Sequence, residues 1–218
     1  AFKPFVYLAA LDSGFTPSSL ILDAPFVIDQ GPGLGLWKPH NYARRFYGPS
    51  TMRLGIEKSR NLMTVRLAQT IGMDKVVAYA KKFGISEKLS SGLSMSLGAG
   101  ETSLLRLTSA YAMLVNGGKK ITPSLIDRLQ NRHGHTIFRH DARKCPGCDV
   151  DDLFNRDMPD IPDTRPQVAE AGSAYQVVSM LHGVVKRGTG RRIAKVGKPL
   201  AGKTGTTNKS MDTWFVGF

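Results

Sequence analysis

Lys203-Thr204-Gly205-Thr206-Thr207 is the stretch on which the reading of this chain turns. Around it, Leu200–Gly205 and Thr213–Phe218 read as two adjacent strands, with a turn at Asn208–Met211. Alternate side chains of a strand face one side, so Lys203 and Gly205 are expected to point away from Thr204 and Thr206. An ammonium beside two hydroxyls suits a carboxylate. Gly205 lets a second backbone come close. By itself the stretch reads equally as a flexible glycine-threonine turn.

Two other short pieces acquire meaning beside it. Ala1-Phe2-Lys3-Pro4 opens a predicted helix over residues 1–13, with Pro4 tolerated in the first turn and Gly14 as the stop. Phe5, Leu8, Ala9, Ala10 and Leu11 give that helix its apolar stripe. Alone, Lys3 reads as an exposed first-turn lysine. Ser59-Arg60-Asn61 falls between predicted helices at Thr51–Lys58 and Leu62–Ile71. Its Ser and Asn are also ordinary helix caps.

Taken in order, Lys3, Ser59-x-Asn61 and Lys203-Thr204-Gly205 match the tail of a Ser-x-x-Lys element, a Ser-x-Asn element and a Lys-Thr-Gly element. The chain resembles the transpeptidase domain of class A penicillin-binding proteins, the bifunctional peptidoglycan synthases. The resemblance runs over nearly the whole chain. It includes Ala24-Pro25, Ile28-Asp29, Tyr47-Gly48-Pro49-Ser50-Thr51, Ser96-Leu97-Gly98, Ala110-Tyr111-Ala112, Asn116-Gly117-Gly118, Gly188-Thr189-Gly190 and Asp212-Thr213-Trp214-Phe215-Val216-Gly217.

The resemblance implies an α/β (α+β) fold of the penicillin-binding-protein and serine beta-lactamase type. A helical subdomain would accompany an antiparallel sheet with helices on both faces. It implies a nucleophilic serine immediately before Ala1 and further strands on either side, so residues 1–218 are expected to be part of a longer chain. That chain would carry a glycosyltransferase domain and a single-pass membrane anchor upstream, on the periplasmic side of a bacterial inner membrane. By resemblance Lys3 is the general base, Ser59 the proton shuttle and Asn61 a ligand of the substrate amide. Lys203 would hold Ser59 and the substrate carboxylate electrostatically. Thr204, Gly205, Thr206 and Thr207 would form the substrate-binding strand, and the Thr206 N–H would complete an oxyanion hole. The implied reaction is attack on a D-Ala-D-Ala stem peptide, loss of D-alanine and transfer to an amine acceptor. Beta-lactams would acylate the same serine, and no cofactor or metal is implied.

Particular residues bear on other functions. A serine beta-lactamase or D,D-carboxypeptidase shares the motifs, and a hydrolase needs a carboxylate to activate water. Glu101, in Glu101-Thr102-Ser103-Leu104-Leu105, is the nearest candidate, and reads otherwise as the acidic lead-in to a helix. A non-catalytic penicillin-binding sensor is the third possibility, against which intact Ser59, Asn61 and Lys203 count. Cys145-Pro146-Gly147-Cys148 with His133, His135 and His140 could hold zinc, but one C-x-x-C is half of most zinc frameworks, and a local disulfide or two free thiols fits better.

The 218 residues suffice for one large domain with a proper core. No apolar run approaches the roughly 20 residues of a membrane helix. The net charge of +13 suggests an anionic neighbour such as a membrane or cell wall surface. Nucleic acid is not supported, because the basic residues are scattered with no interleaved aromatics. Residues 15–49, rich in Gly, Pro and aromatics and centred on Gly31-Pro32-Gly33-Leu34-Gly35, predict a long functional loop with short strands. Trp37 and Tyr47 read equally as cleft-lining residues or as core packing. Further helices are predicted at Lys75–Phe83, capped by Asp74; at Leu104–Val115, capped by Thr102 or Ser103; and at Ala174–Lys186, capped by Ser173. Their buried stripes are read as Leu104, Leu107, Tyr111 and Leu114 in the second, and Val177, Met180, Leu181 and Val184 in the third. Leu125–Arg132 reads as strand-like, and 141–172 as a surface excursion.

Overall fold

The apolar run that begins at Lys3 folds as helix α1, Lys3–Leu11, and all of its residues are buried. The expected stripe is thus an all-round apolar surface, as in helices enclosed by a core. The enclosing helices are α2 (Met52–Glu57), α3 (Asn61–Ile71), α4 (Met73–Lys82) and α6 (Ala171–Arg187), each of which touches α1. Helix α5 (Leu104–Val115) reaches the same core through Tyr111. The Phe5 ring lies 5.3 Å from that of Phe83, 5.7 Å edge-on from that of Tyr111 and 5.9 Å from that of Phe2. The coordinates are a computed structural model, which describes residues 1–218 apart from 32, 34, 149–153, 155, 156 and 208–210.

Helix limits follow the predicted segments, but several caps do not. Thr51 caps α2 by accepting the Leu54 N–H, and Ser103 caps α5 by accepting that of Arg106. Thr102 instead donates its hydroxyl to the Ile85 carbonyl. Asp74 lies inside the first turn of α4, which starts at Met73. Glu170, not Ser173, caps α6, and its carboxylate accepts the Ser173 N–H. In α5 the buried residues are Ala110, Tyr111, Met113 and Leu114, while Leu104 stays exposed. The expected stripe of α6 is buried as read: Val177, Met180, Leu181 and Val184.

The strands pair as antiparallel ribbons of two: β1 (Leu20–Asp23) with β4 (Gly48–Thr51), β2 (Ile28–Asp29) with β3 (Leu36–Trp37), β5 (Arg128–Gln130) with β6 (Thr136–Arg139), and β7 (Gly202–Thr206) with β8 (Thr213–Gly217). The sheet is therefore represented in the described residues by the β7–β8 ribbon, with α6 packed on β7 and α5 against β8. The register sets Lys203 opposite Val216 and Gly205 opposite Trp214. The expected turn at Asn208–Met211 falls mostly outside the described residues, as do Pro32 and Leu34 of the glycine-rich loop centre.

The chain divides into two compact units, Ala1–Lys120 with Gln167–Phe218, and Ile121–Pro166. The expected 141–172 excursion thus covers only part of the second unit, and its last residues join the first. Gln167 donates its amide to the Gly117 carbonyl, and Val168 and Ala169 donate N–H groups to that of Gly118. The second unit holds the exposed β5–β6 hairpin, turned at Asn131–Gly134. Cys145 and Cys148 are joined as a disulfide in it. That bond removes both thiolates from the zinc reading, and the described residues hold no group of His, Cys, Asp and Glu able to bind a metal. No helix among the described residues is long and apolar enough to cross a membrane.

Candidate active site

Lys3 is carried into the core by α1, and its amine emerges beside the turn between α2 and α3. Its Nζ donates to the Ser59 carbonyl at 2.8 Å and to Asn61 Oδ1 at 2.6 Å, and lies 3.2 Å from Ser59 Oγ. From the other side Lys203 Nζ donates to Ser59 Oγ at 2.9 Å and to the Thr204 carbonyl at 3.0 Å. Two carbonyl acceptors use both hydrogens of a neutral Lys3 amine and leave its lone pair for a proton. Burial, then the charge of Lys203, holds the Lys3 pKa well below the ordinary lysine range. Burial also lowers that of Lys203, to about 8. An idle, exposed Lys3 is excluded by this geometry.

Ser59 itself adopts φ 55°, a left-handed conformation uncommon for a residue with a side chain. Such a conformation costs on the order of 1–3 kcal/mol and persists only where neighbours over-determine it. Here the neighbours are the Lys3 bond to its carbonyl, its own N–H to the Ile56 carbonyl, and the Arg60 N–H to that of Gly55.

The cap of α3 comes from none of the residues read for it. Arg60 stands at the cap position without a side-chain bond. Asn41, from the long loop, accepts the Asn61 N–H at 2.8 Å and the Leu62 N–H at 3.4 Å. Its amide donates to buried Asp23 at 2.7 Å and to the Arg45 carbonyl. Arg60 lies 3.6 Å from the other Asp23 oxygen and over the Tyr47 ring. The Asn61 side chain donates to the His40 carbonyl while accepting from Lys3. An Asn41→Ala variant should therefore lose about 2 kcal/mol, one helix cap plus one buried partner of Asp23, read as a lower denaturation midpoint.

A second clasp joins this turn to β7. Arg187, at the end of α6, forks onto the Glu57 carboxylate at 2.5 and 2.9 Å. The Thr189 N–H donates to the Glu57 carbonyl, and the Thr189 and Thr204 hydroxyls are 2.7 Å apart. Only glycine fits at Gly188, because a Cβ there would collide with the Glu57 carbonyl oxygen. Gly205 is under a like constraint, since its Cβ would stand 2.7 Å from the Ala1 backbone nitrogen. The Tyr111 hydroxyl donates to the Ala1 carbonyl at 2.6 Å, fixing the residue that precedes α1's first turn.

These groups open on a cleft of about 910 Å³ whose lining includes Lys3, Ser59, Asn61, Lys203, Thr204, Gly205 and Thr206. Thr207 is not part of that lining; its hydroxyl accepts the Asp212 N–H and closes the β7–β8 connection. Tyr47 lines the cleft, but Trp37 packs edge-on against Phe26 at 6.4 Å in a cluster with Leu62 and Val65. Glu101 lines a separate small cavity with Phe2, Ile85 and Met95, away from the amines. Asn41 and Thr189 were missed by sequence reading. Asn41 sits in a loop without periodicity, and Thr189 stands out in the sequence only as the centre of Gly188-Thr189-Gly190.

A family model described as the penicillin binding protein transpeptidase domain matches residues 1–218. The chain is similar to penicillin-binding protein 1A of Rickettsia bellii, 47% identical over 218 residues, which are 99% of this chain and 28% of that protein. It is 34% identical over 252 residues to penicillin-binding protein 1A of Pseudomonas aeruginosa, covering all of this chain and 30% of that protein. Among solved structures, penicillin-binding protein 1A from Haemophilus influenzae is similar with a TM-score of 0.84 and 31% identity, over 99% of this chain and 35% of that one. The chain thus spans less than a third of the length of these curated relatives. With the fold, the motif order and the family model in agreement over its whole length, the chain belongs to the penicillin-binding-protein transpeptidase domain family.

Proposed function

We propose that this domain is a serine D,D-transpeptidase that cross-links peptidoglycan stem peptides, and that its nucleophile is a serine immediately before Ala1. The observation that carries the reading is the convergence of Lys3 Nζ and Lys203 Nζ on Ser59 Oγ, in a cleft whose lining also includes Ala1 and Gly205. In this mechanism the serine Oγ attacks the carbonyl carbon of the penultimate D-alanine, and its proton passes to neutral Lys3. Ser59 relays that proton to the departing D-alanine nitrogen. Lys203, Thr204 and Thr206 hold the terminal carboxylate. The serine and Thr206 N–H groups face the developing oxyanion. An acceptor amine then attacks the acyl-enzyme, releases the cross-linked peptide and returns the proton through Lys3.

Beta-lactams, which mimic the donor peptide, are expected to acylate the same serine and stay bound. The described residues that line the cleft include no carboxylate to activate a deacylating water, which favours a long-lived adduct over a beta-lactamase. The greater length of the penicillin-binding protein 1A relatives supports the proposal that the domain is part of a bifunctional synthase with a glycosyltransferase domain and a membrane anchor, working in the periplasm beside an anionic membrane or wall. The test is labelling of the full-length protein with a fluorescent penicillin, followed by mapping of the labelled peptide. An adduct on the serine preceding Ala1 supports the reading. A folded protein that takes no label excludes it, and rapid turnover of a chromogenic cephalosporin would point to hydrolysis instead.

A further inference from the structure

Two routes run from the Ser59-Arg60-Asn61 turn to one buried carboxylate, that of Asp23. Arg60 reaches it directly, with its guanidinium 3.6 Å from Asp23 Oδ2 and the Tyr47 ring against its other face. Asn61 reaches it through Asn41, which accepts the Asn61 N–H at 2.8 Å and donates its amide to Asp23 Oδ1 at 2.7 Å. Asp23 is itself fixed by backbone. It is fully buried, it stands opposite Gly48 in the β1–β4 ribbon, and its carbonyl accepts the Tyr47 N–H. Oδ2 has no hydrogen bond among the described residues, so the nearby Arg60 charge is what compensates it. A buried ion pair is weak evidence of stabilisation, because desolvation offsets its attraction. What this pair fixes is the place of a turn whose cap position has no side-chain bond of its own and whose first residue is left-handed.

We propose that Asp23 is a positioning residue for acyl transfer, setting through Arg60 and Asn41 where Ser59 and Asn61 meet the Lys3 amine. The inference rests on the transpeptidase reading above and adds to it a residue outside the three motifs. Lys3 faces Lys203 on β7 and the uncharged Ser59 and Asn61 of the turn, and neither Asp23 nor Arg60 is among its hydrogen-bond partners. Asp23 therefore acts on Lys3 through the turn. A displaced turn takes two acceptors from the amine and admits water beside it, which relieves the desolvation that lowers the Lys3 pKa. Loss of a negative charge by itself has the opposite sign, since it lowers the pKa of a lysine further.

The experiment measures acylation of the full-length protein by a fluorescent penicillin, as a rate constant and a dissociation constant across pH. Asp23→Asn keeps the side chain's shape and removes the charge that holds Arg60. It should slow acylation by about 10²-fold, the scale of a 1 Å misplacement, with penicillin affinity little changed. The rising limb of its pH profile should move to higher pH by about one unit as Lys3 regains water. Arg60→Lys keeps a cation beside the carboxylate while losing the planar fork, and should show smaller changes in the same two directions. If Asp23→Asn does not fold, Arg60→Lys decides on those two readouts. A native acylation rate in the folded variant overturns the positioning role, whatever its unfolding midpoint. A slower rate with the limb unmoved, or moved to lower pH, assigns the loss to general weakening or to charge and also overturns it. A folded native protein that takes no label overturns the underlying transpeptidase reading instead.

Discussion

Replacing Lys3 with alanine is expected to slow acylation by a fluorescent penicillin about 10³-fold, the loss typical of removing a positioned general base. The amine that would take the nucleophile's proton is the one bonded to Ser59 and Asn61. Burial, then the Lys203 charge, holds its pKa well below the usual lysine range. The pH profile of the native protein supplies the sign. The rate should rise with pH as Lys3 loses its proton through that lowered pKa. It should fall again above about pH 8, where Lys203 gives up the charge proposed to hold the substrate carboxylate. A rate unchanged in Lys3→Ala, in protein that still melts cooperatively, would remove Lys3 from the base role. Lys3→Arg should not rescue, because a guanidinium cannot be deprotonated in a protein.

Phe5→Ala is expected to remove about 4 kcal/mol of stability, the middle of the range for truncating a buried aromatic ring to alanine. Phe5 is fully buried two residues from Lys3, and its ring is enclosed by Phe2, Phe83 and Tyr111, which come from three different parts of the chain. Side chains this well enclosed collapse poorly into the space left, so a cavity term adds to the lost burial. The urea midpoint should drop with an unchanged m-value. A loss below about 1 kcal/mol would mean that the cluster repacks around the gap. Since α1 carries Lys3, residual activity in the variant at low temperature would separate loss of fold from loss of site.

Much of the site was legible because its chemistry lies in short, ordered motifs. Lys3, Ser59, Asn61, Lys203 and Thr204 do meet, and the β7–β8 pairing follows from alternating patterns on either side of a polar break. The helices at 104–115 and 171–187 were visible because their apolar residues recur at the helical period. Caps were less legible. Ser173 and Asp74 are good cap residues by type, yet in each case the helix begins earlier in the chain, with its cap position at Glu170 for α6 and at Gly72 for α4. Propensity states which residues can cap, while the surrounding packing decides which one stands at the boundary.

What the sequence alone determined was the family, the order of the three motifs and the identity of the motif residues Lys3, Ser59, Asn61, Lys203 and Thr204 that line the cleft. Each is carried by residue types at short spacings, and local chemistry needs nothing more. Tertiary structure alone decided that Asn41 caps α3 from a distant loop and that Arg187 and Thr189 clasp the Ser59 turn to β7. It alone shifted the Lys3 pKa. A lysine in a first turn is an ordinary cation until helices from four other segments close around it, and their desolvation, with the charge of Lys203 brought from 200 residues away in sequence, holds its pKa well below the ordinary lysine range, as the proposed base role requires.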